Sequence, residues 1–525
     1  MVKAKVVGIV VAVAMVAGVA AWAIVDGFMG PSNDSAVEIA PADSFVYANV
    51  WLNPSRNQKS AIRDLLEKFD KAPTTDEAKG ALVDFIDGAL SETGATFEED
   101  IEPWLGRQAA FYASDVEAAQ PTLAALIATE DRNATQEMID EFDERENNET
   151  EPKSYKGVDY NYYADDQVAS GFIGDFWVFG TESGFRASVD ASEGESLAGN
   201  ARYERAAGRL SDDHLALFYF DPGRLFEIAE ASGDLTSEDL ANIRSLTGED
   251  GGEPAAAIIA VTSEGAFFEA AAPLSEALRD QLGNLTDPGL LPALPGDSWL
   301  ALGAGDLGAS INRFLDQLGS AGIPGFDLET LRRQFSAETG LDFQADLLDW
   351  MGDAGVFVEG TGLLTIGGGA VIETLDANRS RETVDELGRL LLREGAPITP
   401  SVIEGHEGFA IEIPGSPQPI NVLAGDEKVV IAFGATATSN AIDPDNSLSG
   451  TDAFQRATDS LGDGYNTSFF LDVDAVVSLA ESLGAGSDET YQNDVKPWLD
   501  PLSHVVFGTK LDGEVSVQKF VIGAQ

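Results

Sequence analysis

Two stretches of the chain read nearly as copies of each other: Thr93-Gly-Ala-Thr-Phe-Glu-Glu-Asp-Ile-Glu-Pro-Trp-Leu-Gly106 and Thr339-Gly-Leu-Asp-Phe-Gln-Ala-Asp-Leu-Leu-Asp-Trp-Met-Gly352. Phe97, Asp100, Trp104 and Gly106 of the first return as Phe343, Asp346, Trp350 and Gly352, and beyond them Phe111 returns as Phe357. Outward from this pair, other blocks match in the same order. Pro41-Ala-Asp-Ser-Phe-Val-Tyr-Ala48 matches Pro295-Gly-Asp-Ser-Trp-Leu-Ala-Leu302. Asp131, Asn133, Glu137 and Asp140 match Asp376, Asn378, Glu382 and Asp385. Ser196-Leu-Ala-Gly199 with Arg205 and Ala206 matches Ser447-Leu-Ser-Gly450 with Arg456 and Ala457. Colinear matches at nearly constant spacing mark a duplicated unit. The expected organisation is a first repeat over 41–275, a linker over 276–294 and a second repeat over 295–525.

Periodicity gives the fold class. Ile62, Leu65, Leu66 and Phe69 line one face of a helix, and Ile311, Phe314, Leu315 and Leu318 repeat the pattern in the second copy. Pro54, with Asn53 or Ser55 as cap, suits a helix start. Residues 158–163, 168–173 and 176–180 read as a strand meander. Asp512-Gly513 is a type I′ turn signal between runs 505–510 and 515–522, with Ser263-Glu264-Gly265 at the matching place in the first copy. Strand runs joined by short turns, with helices in blocks, indicate an α+β class in which each repeat is a mainly antiparallel sheet packed with helices. Within the repeated block, Phe97, Ile101 and Trp104 share a helix face and Gly106 suits a C′ position. The functional alternative is a Trp between carboxylates lining a carbohydrate or peptide site.

The chain has 525 residues, with 89 Asp and Glu against 32 Lys and Arg, giving a formal net charge of −57. Such a chain repels phosphate backbones and anionic lipid surfaces, which excludes nucleic acid as a partner. A hydrophobic content of 44% supplies ample material for a core. Lys is the scarcer cation, with 12 Lys to 20 Arg. An acidic, Lys-poor surface keeps its hydration in high salt, which points to a halophilic or salt-exposed source; an ordinary acidic secreted protein is the plainer alternative. With no Cys, the chain has no disulfide, thiol nucleophile, Cys-based metal site or N-terminal lipid anchor through cysteine.

The N-terminus runs without a charge from Val6 to Val25, after Lys3 and Lys5 and before Asp26. About 20 residues at 1.5 Å per residue span about 30 Å, the thickness of a bilayer core. The flanking lysines place the N-terminus in the cytoplasm and the bulk of the chain outside it, as a single-pass cell-membrane protein with the lipid bilayer as partner of residues 6–25. A signal anchor over 1–27 is the favoured reading; a signal peptide cleaved near Ala21-Trp22-Ala23 is the alternative. Residues 28–40 read as a flexible tether.

Motifs for chemistry are weak. Gly303-Ala-Gly305-Asp-Leu-Gly308 has the dinucleotide spacing, yet the matching Asn49-Val-Trp-Leu-Asn-Pro54 has no glycine. His214, His406 and His504 stand apart, His214 beside Asp212 and Asp213 as a surface residue. Asp443-Pro-Asp445-Asn-Ser447 starts like a calcium loop, but Leu448 and Phe454 occupy the positions that need Gly and Glu. Carboxylate groups such as Glu98-Glu99-Asp100 or Asp140-Glu141 are too common here to be assigned acid–base work. Tyr155, Tyr160, Tyr162 and Tyr163 suggest an aromatic strand face or a sugar platform. Asn133, Asn148, Asn284, Asn378 and Asn466 head Asn-x-Ser/Thr triplets. No residue is nominated as catalytic, cofactor-binding or metal-ligating, and no cofactor is expected.

The Pro41-Ala-Asp-Ser start, the Phe97…Asp100…Pro-Trp-Leu-Gly106 block and the apolar N-terminus together resemble the bacterial domain-of-unknown-function 3352 family (DUF3352) of membrane-anchored envelope proteins. The resemblance implies an envelope location and a fold, but no mechanism. The expected function is an extracytoplasmic module binding an unknown envelope ligand or protein. A carboxylate-dependent envelope hydrolase and a structural spacer are the alternatives.

Overall fold

A computed structural model describes residues 33–525, apart from 73, 75, 76, 78, 79, 81, 82, 85, 89–94, 116–120, 233–251, 275–287, 321–326 and 417. The expected membrane helix over 1–27, the tether as far as residue 32 and the linker as far as residue 287 lie outside these residues, as do Thr93 and Gly94. Among the described residues no helix is long and apolar enough to cross a membrane.

The fold is α+β and antiparallel, with many helices. It divides into two compact units, Met1–Ser275 with Asp512–Val517, and Glu276–Leu511 with Gln518–Gln525. The first unit contains β1 (Val46–Trp51), β2 (Leu105–Asp115), β3 (Thr122–Thr129), β4 (Glu151–Tyr155), β5 (Val158–Tyr163), β6 (Val168–Ile173), β7 (Phe176–Thr181), β8 (Ala216–Phe220), β9 (Ala255–Thr262) and β10 (Gly265–Pro273). They pair in the order β4-β5-β6-β7-β3-β2-β1-β8-β9-β10, each pair antiparallel.

The second unit contains β11 (Ser298–Ala304), β12 (Met351–Glu359), β13 (Gly367–Thr374), β14 (Ile398–Ile403), β15 (His406–Ile411), β16 (Ile420–Ala424), β17 (Lys428–Phe433), β18 (Asn466–Asp472), β19 (Leu502–Asp512) and β20 (Val515–Ala524). Their order, β14-β15-β16-β17-β13-β12-β11-β18-β19-β20, is that of the first unit. The β4–β5 and β14–β15 hairpins turn on Lys156-Gly157 and Glu404-Gly405, all at positive φ as a type I′ turn needs. The outer strands β4 and β14 each carry a proline, Pro152 opposite Asn161 and Pro400 opposite Phe409.

The matching blocks have mechanical roles. Phe97–Ile101 and Phe343–Leu348 each form a wide π-helical turn. In each, the indole N–H donates to a carbonyl of the turn, Trp104 to Asp100 at 2.6 Å and Trp350 to Asp346 at 3.0 Å. The carboxylates of Asp100 and Asp346 accept from the backbone N–H of Thr96 at 2.6 Å and Asp342 at 2.7 Å, closing the turns. The buried rings then fill a core, Trp104 with Ile127, Ile139 and Trp177, and Trp350 with Ile372, Val384 and Phe409. Asp131 and Asp376 cap the helices Arg132–Glu146 and Ala377–Arg393, each accepting from two backbone N–H groups. The Pro41 and Ser196 segments lie side by side through a β-bridge, as do those of Pro295 and Ser447.

Three expectations need correction. Residues 33–40 are no loose tether: Ala36–Glu38 form a 3₁₀ turn, Ala36, Val37 and Ala40 are buried, and Ala40 O accepts from Leu197 N–H at 2.8 Å. The end of the expected linker behaves alike, since Leu291–Ala293 form a 3₁₀ turn and Leu294 O accepts from Leu448 N–H at 2.7 Å. Each segment is held because its apolar side chains are buried. Secondly, Gly106 is no helix cap. It lies inside β2, pressed so closely on β3 that a Cβ would stand 2.6 Å from the Ala128 carbonyl carbon. Thirdly, Phe111 is not the structural counterpart of Phe357. Ala48 faces Phe111 whereas Leu302 faces Val356, and the fully buried rings are Tyr112 and Phe357. One extra residue after Gly106, at a register shift in β2, moves the correspondence.

Gly106→Ala is expected to destabilise by about 1–3 kcal/mol, because backbone rather than a movable side chain blocks the new methyl. Gly199→Ala, where a Cβ meets nothing within 4 Å, stays within about 0.5 kcal/mol of the parent. Thermal melts of the two variants compare them directly.

Candidate functional site

Side chains of directly paired residues lie on the same face of an antiparallel sheet. In the first unit Phe179, Ala125, Phe111, Ala48, Phe218, Ala257 and Ala270 face one another strand by strand across β7-β3-β2-β1-β8-β9-β10. In the second, Ile431, Ala370, Val356, Leu302, Phe469 and Phe507 do so across β17-β13-β12-β11-β18-β19. Every member of both rows is apolar. The rows are open in part: Phe218 is 49%, Leu302 41%, Val356 44% and Ile431 39% exposed, Ala125 is buried, and the other members are half-buried. Ile259 and Phe268, opposite one another on β9 and β10, extend the exposed apolar surface of the first unit.

Helices cover the same faces beside the rows. Ile127 and Ile372 lie beneath Trp104 with Ile139 and beneath Trp350 with Val384. Ala113 and Phe220 pack with Ile228 of the helix Pro222–Ser232. Between such clusters the exposed hydrocarbon is available to a ligand, at about 25 cal/mol for each Å² covered. The ladder consumes the N–H and C=O groups of the paired strands, so the face itself offers side chains alone.

The opposite face is closed and differs between units. Tyr47, Tyr112 and Tyr219 are fully buried in the first, where the second has Ala301, Phe357 and Phe470. The Tyr47 hydroxyl donates to both carboxyl oxygens of Asp34, at 2.8 and 2.9 Å, and the Val37 N–H donates to the same carboxyl at 3.1 Å. Asn49 Nδ2 donates to Gln108 at 3.1 Å, and Gln108 in turn donates to Ser35. Burial raises the Asp34 carboxyl above its usual range, against the lowering effect of these hydrogen bonds. The network fastens residues 34 and 35 to the sheet.

A polar cleft of about 410 Å³ is lined by Ser44, Asn200, Arg202, Asp221 and Arg224 among others. Its arginines are already engaged. Arg202 forks onto Asp221 at 2.7 and 2.8 Å, and Arg224 lies 3.7 Å from Asp43 and 2.8 Å from Glu227. Arg202 holds the Asp221 carboxyl below its usual range despite burial.

The sequence motifs are placed as follows. In Gly303-x-Gly305-x-x-Gly308, a Cβ at Gly303 would lie 1.9 Å from Pro288 O and one at Gly308 2.1 Å from Leu348 O; these two glycines serve close backbone packing. His214 is not a surface residue. It is largely buried, edge-on to Trp51 with ring centroids 4.6 Å apart. His504 is buried between the hydroxyls of Ser460 at 3.0 Å and Ser503 at 2.9 Å. Desolvation, aided by Arg456, pushes its pKa down from 6.5 to about 4. Asn446 of the calcium-like stretch spends its carbonyl on Gly296 N–H at 2.7 Å. Among the described residues no three His, Asp or Glu side chains are grouped to hold a cation.

The tyrosine cluster divides. Tyr160 is buried and donates to Glu182 at 2.7 Å, Tyr155 reaches Asp190 at 3.2 Å, Lys153 covers the Tyr162 ring, and Tyr163 donates to Asp143 at 2.9 Å. Of the triplet asparagines, Asn284 lies outside the described residues, Asn148 is half-buried, and Asn133, Asn378 and Asn466 are exposed. Sequence reasoning missed the open rows because their alternate residues occupy strands distant in the chain, and only the register brings them together.

Two buried groups give opposite pH dependences. His504, depressed to about 4 from 6.5, contributes stability that is complete above 6.5 and lost as pH falls toward 4. Asp34, raised above 3.8, contributes stability that is present below 3.8 and lost as pH rises through its elevated value. Urea unfolding at pH 7, 5.5 and 4 is expected to show a shallower acid loss in His504→Gln and a steeper one in Asp34→Asn.

No curated protein matches the chain. Among solved structures, crystal form I of TP0453 aligns at 10% identity and a TM-score of 0.23, over 48% of this chain and 80% of that one. Crystal form III of TP0453 aligns at 8% identity and 0.23, over 47% and 82%. A likeness at that score defines neither fold nor activity. The profile of the family described as Protein of unknown function (DUF3352) matches residues 6–506, nearly the whole chain, and the chain belongs to that family.

Proposed function

We propose that the chain is a single-pass, membrane-anchored extracytoplasmic protein whose two homologous α+β repeats bind apolar ligands on their open sheet faces. The observation that carries the binding role is the pair of apolar rows, with Phe218 at 49% and Val356 at 44% exposure. Contiguous exposed apolar surface on a chain carrying −57 charges marks an interaction site rather than a solvation surface. The anchor is supported by the uncharged run Val6–Val25 behind Lys3 and Lys5. The duplication is supported by the shared strand order and the paired Trp–Asp turns.

Native mass spectrometry of the full chain, extracted from its host membranes, tests the binding role. The expected spectrum shows the chain with one or two small apolar molecules, and Phe218→Asp with Val356→Asp removes them. A bare chain mass in the parent protein would overturn the proposal.

The acidity supports a salt-exposed setting as part of the same reading. Screening weakens repulsion among carboxylates, so the unfolding midpoint is expected to rise as KCl is added from low salt to about 1 M, where the Debye length is about 3 Å. A midpoint unchanged or falling over that range counts against halophily.

A further inference from the structure

We infer that the ligand of each open face is a lipid acyl chain, lying across the strands along the apolar row. The inference rests on the proposed apolar-binding function and narrows it to one class of occupant. Four observations lead to it.

The first is hydrogen-bond supply. The rows run across the middle of sheets whose strands are paired on both sides, from β7 to β9 in one unit and from β17 to β19 in the other. A peptide in extended form needs partners for its own N–H and C=O groups, and unpaired groups against hydrocarbon cost several kcal/mol each. A hydrocarbon chain has none to satisfy.

The second is chemical constancy across the repeats. Phe179, Phe111, Ala48 and Ala257 are exchanged for Ile431, Val356, Leu302 and Phe507, yet no polar atom enters the row. On the closed face the same comparison exchanges Tyr for Phe or Ala. Side-chain volume is redistributed along the open row while its hydrocarbon character is retained, which suits a flexible apolar occupant rather than one fixed shape.

The third is length. Six strands at about 4.8 Å spacing give a row of about 24 Å, longer than the about 15 Å that one leaflet contributes to a bilayer core. An acyl chain fits within that length, with its fullest contact at the exposed members, Phe218 in the first unit and Leu302, Val356 and Ile431 in the second.

The fourth is charge. At −57, two copies of this chain repel each other wherever salt does not screen the charge, which disfavours a second copy as occupant at low ionic strength. The same field favours a lipid whose headgroup is neutral or cationic over an anionic one.

Photo-crosslinking tests this. The full chain, purified in detergent, is irradiated with a palmitoyl probe bearing a mid-chain diazirine, and separately with a small aromatic diazirine that has no acyl chain. The palmitoyl adducts are expected on β8, β9, β11 and β12, around Phe218, Ile259, Leu302 and Val356. Phe218→Asp removes those of the first unit and Val356→Asp those of the second, while Leu375→Asp, at an exposed site off the rows, leaves both. Circular dichroism of the variants checks that each retains its fold. Adducts of the aromatic probe on these faces without palmitoyl adducts would overturn the acyl assignment and leave the apolar-binding role standing. Absence of both from the faces would overturn the two together.

Discussion

The alternation of side chains across an antiparallel ladder is the constraint on which the rest of this structure depends. On β1, Tyr47 and Asn49 point to one face and Ala48 and Val50 to the other. The first face is closed and polar enough to bury Asp34, and the second is partly open and apolar. Register carries this division from strand to strand, so pairing Ala48 with Phe111 and Phe218 sets which face a residue joins on three strands at once. The helices, the Trp-containing turns and the open rows are each disposed around that division.

Much of the fold is legible in the chain because the duplicated blocks coincide with geometric necessities. Trp104 and Trp350 need a carbonyl for the indole N–H, Asp131 and Asp376 need to meet free helix-end donors, and the prolines at 41 and 295 start bridged segments. What escapes is what depends on one residue more or less. The match of Phe111 to Phe357 is sound as a string, but the extra residue in β2 makes Phe111 face the open side and Tyr112 the closed one. Glycine is ambiguous for a related reason. Gly106 satisfies a helix-cap pattern, yet a neighbouring strand demands it. Residues 33–40 look like a tether because their polarity is visible in sequence, and their burial and their hydrogen bond to Leu197 are not. Of the open rows almost nothing is legible, since each member comes from a separate strand and is surrounded in sequence by its closed-face neighbours.

The two units share a ladder while differing in what they bury. The tyrosines of the first supply hydroxyls to Asp34, Gly184 and Ser188, at 2.6 to 2.9 Å. Where Tyr203 packs edge-on against Tyr219 with centroids 5.2 Å apart, Phe454 packs edge-on against Phe470 at 5.3 Å. Ring geometry is thus maintained while hydrogen bonding is lost. The first unit thereby adds buried polar contacts to the apolar burial that holds the segment leading into it, whereas the second holds Leu291 and Leu294 by apolar burial.

The prolines at the outer strands also bear on how copies of the chain tolerate crowding. Pro152 on β4 and Pro400 on β14 each remove a backbone donor from an outermost strand. An extended sheet with a regular free margin is a template on which another chain can add strand by strand, toward a fibril. With a gap in the donor series at the same point of each unit, that margin is interrupted, and strand-by-strand addition there lacks one of its hydrogen bonds.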